Sequence, residues 1–254
     1  MTRNAYAKVN IFLKVVGMRG NYHEILSRFI LVDNLYDTLH ILPKTQKDME
    51  FELVGEFGCE IKSNTLYKAL VAFKNAGYEK EIEDFCANYA LHVEKNIPSF
   101  AGLGGGSSDA ATFLLMLNDF LHVNLSKEEL SSIGACVGAD VPFFIYGYKS
   151  ANVSGIGEVV QKYEEESLHV KTFTPDIKCD TARVYKAFRE HYKVDVPLAQ
   201  KMADMSSLEL LNTYDDLTLN DLFGASMRVY PELENYRKKG WFFSGSGSSF
   251  FLLV

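Results

Sequence analysis

The feature that most constrains this chain is a glycine- and serine-rich segment, Pro98–Asp109, directly followed by a stretch of helical periodicity. Four glycines in it permit positive φ angles and leave backbone N–H groups open to a ligand: Gly102, Gly104, Gly105 and Gly106. Apolar residues then recur with helical spacing at Ala110, Phe113, Leu114, Leu117 and Leu121. We therefore predict a helix capped by Ser107, Ser108 or Asp109, with the positive end of its dipole facing the loop. Such a helix start binds anions, so the segment predicts a phosphate site.

Two other glycine-rich phosphate motifs fit less well. A Walker A loop requires Gly-Lys followed by Ser or Thr, whereas Gly106 is followed by Ser107 and Ser108. A dinucleotide-binding G-x-G-x-x-G that starts at Gly102 meets Ser107 where its third glycine belongs. A single Gly-x-Gly would as readily be a tight turn, but four glycines with two hydroxyl groups at a helix start favour phosphate.

The bulk composition is that of a globular protein with room for one large domain or two modest ones. The chain has 254 residues, of which 47% are hydrophobic and 23% charged. Strand-like and helix-like segments are mixed in both halves, so both kinds of element are expected along the chain. The pattern changes near Lys149, so we place a domain boundary there and expect domains 1–149 and 150–254.

Charge and cysteine usage narrow the class of partner. A net charge of -7 argues against a nucleic-acid-binding protein, which would present a basic face. The four cysteines are far apart and form no C-x-x-C pair, so they indicate neither a zinc site nor a disulfide framework. No signal peptide or membrane helix is recognisable. We expect a cytoplasmic enzyme with small-molecule substrates, no membrane association and no obligate protein partner.

Two further segments carry residues with catalytic potential. Tyr6–Val16 alternates as a strand with one buried side, which makes Lys8 and Asn10 project together. In Gly138–Pro142 the proline ends a helix that opens at a capping box on Ser126, which places Asp140 in a turn.

Taken singly, these residues have ordinary structural explanations, since most charged side chains are simply solvated. Together they match the needs of phosphoryl transfer, which are a cradle for the phosphates, a cation and a carboxylate that takes the proton of an attacking hydroxyl. The combination of these residues therefore indicates a kinase, although no single residue does.

Six segments, in this order along the chain, resemble the GHMP kinase superfamily. They are Ala5–Leu13, Tyr22–Glu24, Pro98–Asp109, Gly138–Pro142, Gly155–Glu158 and Ser244–Ser248. The resemblance spans nearly the whole chain. Lys8-x-Asn10 followed by Tyr22-His23-Glu24 narrows it to the branch that acts on a cytidine-diphosphate-linked methylerythritol in non-mevalonate isoprenoid biosynthesis.

The resemblance implies an α+β protein with the GHMP kinase fold: an N-terminal domain of the ribosomal protein S5 domain 2-like type and a ferredoxin-like C-terminal domain, with the active site in the cleft between the domains. It also implies transfer of the γ-phosphate of ATP to the 2-hydroxyl of the acceptor, with Mg²⁺ accompanying ATP. One departure is Phe100, which stands where the family often has glycine.

Residue roles follow from the same resemblance. Asp140 matches the catalytic base and Lys8 the neighbouring cation, a combination that keeps a carboxylate ionised and offsets charge on the attacking oxygen. The residues matched to ATP binding are Asn64, Lys95, Pro98, Gly102, Leu103, Gly104, Gly105, Gly106, Ser107 and Ser108. No metal ligand is assigned, and Ser107 and Ser108 are only weak candidates to touch Mg²⁺.

For the acceptor, His23 matches the residue that reads the cytosine edge, and an aromatic ring is expected to stack on the base. The residues matched to acceptor binding are Asn10, Tyr22, His23, Asp140, Thr181 and Tyr185. A stacked base contributes on the order of 1 to 3 kcal/mol, enough to anchor a pyrimidine with little charge.

Two alternatives remain open at this point. One is another kinase of the superfamily, acting on homoserine or a mevalonate derivative, whose acceptor would not need Tyr22 and His23. The other is a silent nucleotide-binding protein, which would bind ATP without turnover and would have no physical reason to retain both Lys8 and Asp140.

Overall fold

A computed structural model describes residues 1–45, 50–191 and 193–254. The chain forms two compact units, each assembled from three segments. Unit 1 comprises Met1–Ala7, Asn34–Ile97 and Gly105–Gly147, and unit 2 comprises Lys8–Asp33, Pro98–Gly104 and Tyr148–Val254. The predicted α+β class is confirmed. The boundary at residues 149 and 150 and the ferredoxin-like second domain stay predictions.

Strands and helices are mixed along the whole chain. The strands are β1 (Thr2–Arg19), β2 (Tyr22–Pro43), β3 (Glu52–Val54), β4 (Tyr89–Glu94), β5 (Ser150–Gly155), β6 (Val159–Lys162), β7 (Val170–Phe173), β8 (Phe242–Phe243) and β9 (Phe250–Leu253). The α-helices are α1 (Thr65–Asn75), α2 (Glu79–Asn88), α3 (Gly105–Phe120), α4 (Lys127–Ala135), α5 (Val141–Tyr146), α6 (Thr181–Arg189), α7 (Val196–Asp204), α8 (Ser207–Thr213), α9 (Asp216–Leu219) and α10 (Asp221–Val229). Short 3-10 helices cover Ile61–Ser63 and Pro231–Tyr236.

Unit 1 packs helices on a small sheet. The C-terminal part of β2 pairs antiparallel with β4, from Thr38 opposite Glu94 to Pro43 opposite Tyr89. Strand β3 adds to β4 in parallel. The core of unit 1 contains the fully buried rings of Phe73 on α1, Phe113 on α3 and Phe143 on α5. Helix α3 lies inside this unit, with most of its surface covered.

Unit 2 contains two sheets. The first part of β2 pairs antiparallel with β5, which pairs in turn with β6. A separate three-stranded sheet has the order β7-β9-β8. Helices α6 and α10 pack against an apolar cluster that includes Leu13, Val15 and Ile25 from β1 and β2. This packing holds α6 against the C-terminal part of β1 and the first residues of β2 within unit 2.

Strand β1 is longer than predicted and is buried on both sides. The prediction of one buried side is wrong, because residues 7–15 are all buried. The polar side chains of β1 form hydrogen bonds and ion pairs within the protein. Lys8 donates to Asn10 Oδ1, and Lys14 forms an ion pair with Asp221. The interpretation of Lys8 as an ordinary surface lysine is therefore excluded.

The glycine-rich segment enters its helix earlier than predicted. Helix α3 begins at Gly105, so Ser107, Ser108 and Asp109 lie inside its first turns and do not cap it. Asp109 is buried, whereas a capping residue would lie at the helix end.

The predicted capping box on Ser126 is confirmed at the start of α4. Asp140 immediately precedes α5, a short helix that sequence reasoning did not predict. The sequence pattern also predicts a strand over Met49–Val54 and a helix near Thr181–Tyr192. The structure has β3 and α6 there, and Met49 and Tyr192 lie outside the described residues.

An ionic cluster of two carboxylates and one ammonium group lies buried in unit 1. Lys95 Nζ donates to Asp109 Oδ2 at 2.6 Å and also to Asp37 Oδ2. Asp37 Oδ1 accepts from the backbone N–H groups of Asn96 at 2.5 Å and Ile97 at 2.8 Å. The cluster thus ties β2 to the residues just before the glycine-rich segment and to the first turns of α3.

Burial raises the pKa of the Asp109 carboxyl to about 7, because one ammonium group cannot compensate two carboxylates removed from water. Burial alone would lower the pKa of Lys95, but the charges of Asp109 and Asp37 outweigh it and raise that pKa.

Among the described residues, no helix combines the length and the apolar composition needed to cross a lipid bilayer.

The raised pKa of Asp109 predicts a pH dependence of stability. Between about pH 4 and pH 7 the folded state holds a proton that the unfolded state has released, so the free energy of unfolding falls as pH rises. Asp109→Asn removes this dependence. The difference in unfolding free energy, variant minus wild type, should rise by on the order of 2 kcal/mol from pH 5 to pH 8. Urea unfolding at the two pH values measures it, and any pH-independent cost of the amide cancels.

Asp119→Asn is the matched control, since Asp119 pairs with Arg3 at the surface and its side chain is 47% exposed. That variant should change stability equally at both pH values. Parallel pH curves for wild type and Asp109→Asn would contradict the assignment of the buried charge.

Candidate active site

The first turn of α3 is shaped by two glycines that no larger residue could replace without movement. A Cβ at Gly105 would lie 2.9 Å from Ile97 Cγ2, and one at Gly106 would lie 3.2 Å from Thr65 Oγ1. Thr65 Oγ1 donates to the carbonyl oxygen of Gly106 at 2.7 Å. The helix N-terminus is therefore held close against α1, with its backbone N–H groups and dipole available to an anion.

The first half of the glycine-rich segment belongs to unit 2, where the C-terminal Ser-Gly-Ser-Gly run supports it. Gly102 has φ of 75°, and a Cβ there would lie 2.2 Å from the carbonyl oxygen of Ser244. Ser244 Oγ donates to the Gly102 carbonyl oxygen at 3.0 Å, and Ser249 N donates to the carbonyl oxygen of Ala101 at 3.0 Å. Only glycine fits this contact.

Phe100 adopts a glycine-like conformation. Its φ is 57°, its side chain is exposed, and its carbonyl oxygen accepts from Cys179 N at 3.1 Å. The backbone at the position where the family often has glycine is thus left-handed, which a bulky side chain adopts only at an energetic cost. The departure noted in the sequence changes the side chain and keeps the turn.

Lys8 and Asn10 lie in the same hydrogen-bonded system. The Lys8 backbone N–H donates to the Leu103 carbonyl oxygen at 2.9 Å, and Lys8 Nζ donates to Asn10 Oδ1 at 2.6 Å. The ammonium group also lies 4.4 Å from the centre of the Phe29 ring. Asn10 Nδ2 donates to Ser27 Oγ at 2.9 Å, and Asn10 N donates to Ser244 Oγ at 3.3 Å. Three separate sequence motifs therefore meet in unit 2.

The predicted carboxylate, Asp140, lies in unit 1 beside the start of α3. It is partly buried and caps no helical N–H group. A Cβ at Gly138, in the same turn, would lie 3.7 Å from Ser107 Oγ. The turn thus brings the Asp140 segment next to the predicted phosphate site of its own unit.

Other residues predicted to bind ATP have structural partners. Asn64 is buried, and its side chain accepts from Leu66 N at 2.9 Å as the N-cap of α1. Lys95 belongs to the cluster with Asp37 and Asp109. Ser108 is buried within α3, whereas Ser107 is partly exposed and Pro98 is exposed. Their contacts with nucleotide remain predictions.

The residues predicted to bind the acceptor gather around α6 in unit 2. The ring of His23 is buried and stacks on Tyr185, with 4.8 Å between ring centres and 30° between planes. Thr181 Oγ1 is hydrogen-bonded to Ser246 Oγ at 2.8 Å. Tyr22 is 66% exposed. Tyr185 therefore has one face on His23, while the Tyr22 ring is open to solvent.

Burial and the charge of Arg189 lower the pKa of His23. Arg189 Nε donates to His23 Nε2 at 3.3 Å, and its Nη2 donates to the carbonyl oxygen of Asn21. Both effects favour the neutral form of the imidazole.

Sequence reasoning missed the parts played by Arg189, Ser27 and Asp37. Arg189 lies one helical turn after Tyr185, so the spacing of four residues could have placed both on one face of α6. Ser27 and Asp37 lie in a strand and carry no local signal, because their partners are distant in sequence.

Comparison with known proteins agrees with this geometry. The model of the GHMP kinase N-terminal domain matches residues 64–148. A 4-diphosphocytidyl-2-C-methyl-D-erythritol kinase from Sulfurimonas denitrificans is 53% identical over 252 residues, covering 97% of this chain and 94% of the relative. One from Sulfurovum sp. is 46% identical, covering 98% of this chain and 97% of the relative.

A solved structure extends the likeness to three dimensions. The crystal structure of a 4-(cytidine 5'-diphospho)-2C-methyl-D-erythritol kinase superposes with a TM-score of 0.75 at 32% identity, covering 100% of this chain and 90% of the other. The predicted GHMP kinase fold is confirmed, and the chain belongs to the 4-diphosphocytidyl-2-C-methyl-D-erythritol kinase family.

Proposed function

We propose that this protein transfers the γ-phosphate of ATP to the 2-hydroxyl of 4-diphosphocytidyl-2-C-methyl-D-erythritol, a step of non-mevalonate isoprenoid biosynthesis. The observation that carries the proposal is the hydrogen-bonded chain through Lys8, Asn10, Ser244 and Gly102, which joins three motifs distant in sequence. Relatives that are 53% and 46% identical and carry the name of this activity support this choice of acceptor.

Two side chains supply the chemistry in this proposal. Asp140 accepts the proton of the acceptor hydroxyl as its oxygen attacks the γ-phosphorus, and the bond to the ADP oxygen breaks. The Lys8 ammonium group offsets the negative charge that develops on the reacting oxygens. Burial of Lys8 supports this role, because a charge acts more strongly where water is excluded.

The glycine-rich segment holds the ATP phosphates through backbone N–H groups and the start of α3. Lys95 and Asn64 lie on the adenine side, and each already has partners that fix its position. Tyr22, His23, Thr181 and Tyr185 take the cytidine end of the acceptor, with stacking contributed by the aromatic rings.

Mg²⁺ is proposed to enter with ATP. Among the described residues no three His, Cys, Asp or Glu side chains form a metal cluster. We therefore propose that Mg²⁺ is held mainly by the substrate phosphates and water, with one or two protein oxygens such as Ser107 Oγ. When bound, the ion neutralises phosphate charge.

The substrates are proposed to be small molecules only, with no nucleic acid, membrane or obligate protein partner. The net charge of -7 supports the exclusion of nucleic acid. Use of ATP supports a cytoplasmic place of action.

Replacing either charged residue should stop transfer. Asp140→Asn and Lys8→Met remove the proton acceptor and the cation, so kcat should fall at least about 100-fold. Coupled ADP release measures it, using acceptors with and without the cytidine diphosphate group, homoserine and mevalonate. We expect turnover only with the cytidine-linked acceptor.

Thermal unfolding and ATP binding of both variants show whether the fold survives. Near-wild-type turnover in either variant refutes its role. ATP binding without turnover of any acceptor by the wild type would identify a silent nucleotide-binding protein, and preference for homoserine or mevalonate would identify another kinase of the superfamily.

Gly102→Ala should damage ATP use, because its Cβ would lie 2.2 Å from a backbone oxygen that cannot move alone. We expect kcat/KM for ATP to fall by about tenfold or more. Gly240→Ala is the control, since Gly240 has a similar φ of 83° but no atom within 4 Å of the added Cβ. Equal ATP kinetics for the two variants would contradict the role of the contact.

A further inference from the structure

Arg189 lies beside the predicted acceptor site and has no role in the proposed function. It is the last residue of α6, and its guanidinium group makes two contacts with the segment around Tyr22. Nε donates to His23 Nε2 at 3.3 Å, and Nη2 donates to the carbonyl oxygen of Asn21. The two bonds use two different nitrogens, so they fix the guanidinium plane relative to both residues.

The first bond decides where the imidazole carries its proton. An arginine side chain has only donors, so His23 Nε2 must accept and cannot carry hydrogen. The single proton of the neutral ring is then on Nδ1. Burial, together with the positive charge of Arg189, lowers the pKa of His23 and disfavours the doubly protonated ring.

Two charged side chains on these strands are engaged in ion pairs of their own. Glu24, the next residue along β2, pairs with Arg19. Lys14 on β1 pairs with Asp221 on α10. From α6 itself, Tyr185 and Phe188 pack on the His23 ring as aromatic groups, and Arg189 is the cation that faces it.

Neighbouring aromatic rings pack on the imidazole of His23, so we expect a base to be distinguished at the edge of this ring. One face of the imidazole lies on Tyr185, and Phe188 packs against it at 73° with 5.9 Å between ring centres. A ring covered in this way discriminates ligands by hydrogen bonding at its nitrogens.

We propose that Arg189 is a positioning residue for base specificity, which fixes His23 as a hydrogen-bond donor through Nδ1 and so selects cytosine over uracil. The inference rests on the proposed function, in which His23 reads the base edge. Cytosine N3 is an acceptor and pairs with an Nδ1–H donor. Uracil carries hydrogen on N3, so it would place two donors against each other. Without Arg189 the ring is free to adopt the other tautomer, whose Nδ1 accepts.

The kinetic test compares Arg189→Gln with the wild type on two acceptors. One is the cytidine-diphosphate-linked methylerythritol and the other is its uridine-diphosphate-linked analogue. We expect the ratio of kcat/KM, cytidine over uridine, to fall by about tenfold, because mismatched hydrogen-bonding groups discriminate by that order or more. KM for ATP should stay unchanged.

Arg183→Gln is the matched control. Arg183 lies on the same helix and carries the same charge, but its guanidinium group lies over the Tyr230 ring at 5.5 Å. The ratio should not change in this variant. An unchanged ratio in Arg189→Gln, or an equal fall in both variants, overturns the inference. Failure of the wild type to use the cytidine-linked acceptor would instead overturn the proposed function.

A second measurement needs no turnover. Imidazole ¹⁵N chemical shifts at pH 7, with the His23 signals assigned by their loss in His23→Gln, report the tautomer directly. We expect hydrogen on Nδ1 and a bare Nε2 in the wild type and in Arg183→Gln, and a mixture of tautomers in Arg189→Gln. Hydrogen on Nε2 of His23 in the wild type overturns the inference.

Discussion

The contact between Gly102 and Ser244 is the constraint on which the arrangement of unit 2 depends. Two backbone segments approach so closely that a single added carbon would meet a carbonyl oxygen at 2.2 Å. From this contact the hydrogen bonds continue through Ser244 Oγ to Asn10 and from Asn10 to Lys8. A lysine with few rotamers left is pre-organised, since its conformational entropy is lost on folding and not in the reaction.

In unit 1 a buried ionic cluster holds the glycine-rich segment in position. Its predicted phosphate site begins at Gly105, and the cluster of Asp37, Lys95 and Asp109 fixes the backbone on both sides of the glycine-rich segment. A buried ion pair gives little net stability, because desolvation of the charges offsets their attraction. Its geometric effect is larger, since Asp37 accepts hydrogen bonds from two successive backbone N–H groups just before the glycine-rich segment.

The glycine-rich helix start and the capping box on Ser126 could be predicted because such signals act locally. The α+β GHMP kinase fold and the family could be predicted from the resemblance of six ordered segments. The sequence misled where partners are distant. Alternation in Tyr6–Val16 predicted an exposed face, but Asn10 meets Ser244, which lies far along the chain. Capping preferences predict Ser107, Ser108 or Asp109 as the cap of α3. They depend only on neighbouring residues, so they do not include the ion pair between Asp109 and Lys95 inside the unit. Arg189 carried no signal beyond its helical spacing from Tyr185. The roles assigned to Lys8 and Asp140 stay predictions, supported by burial and by proximity to the glycine-rich segment within their own units.

The composition of unit 2 has a consequence for how the chain folds during synthesis. Residues Lys8–Asp33 belong with Tyr148–Val254, so strand β5, which pairs with β2, and helices α6 and α10, which cover Leu13, Val15 and Ile25, begin to emerge only about 115 residues later. At typical translation rates that delay is on the order of ten seconds, during which the apolar edges of β1 and β2 are open to chaperones or to other nascent chains. Contacts so distant in sequence also predict slow folding. Expression of residues 1–149 alone would leave Lys8–Asp33 without the strands and helices that bury them.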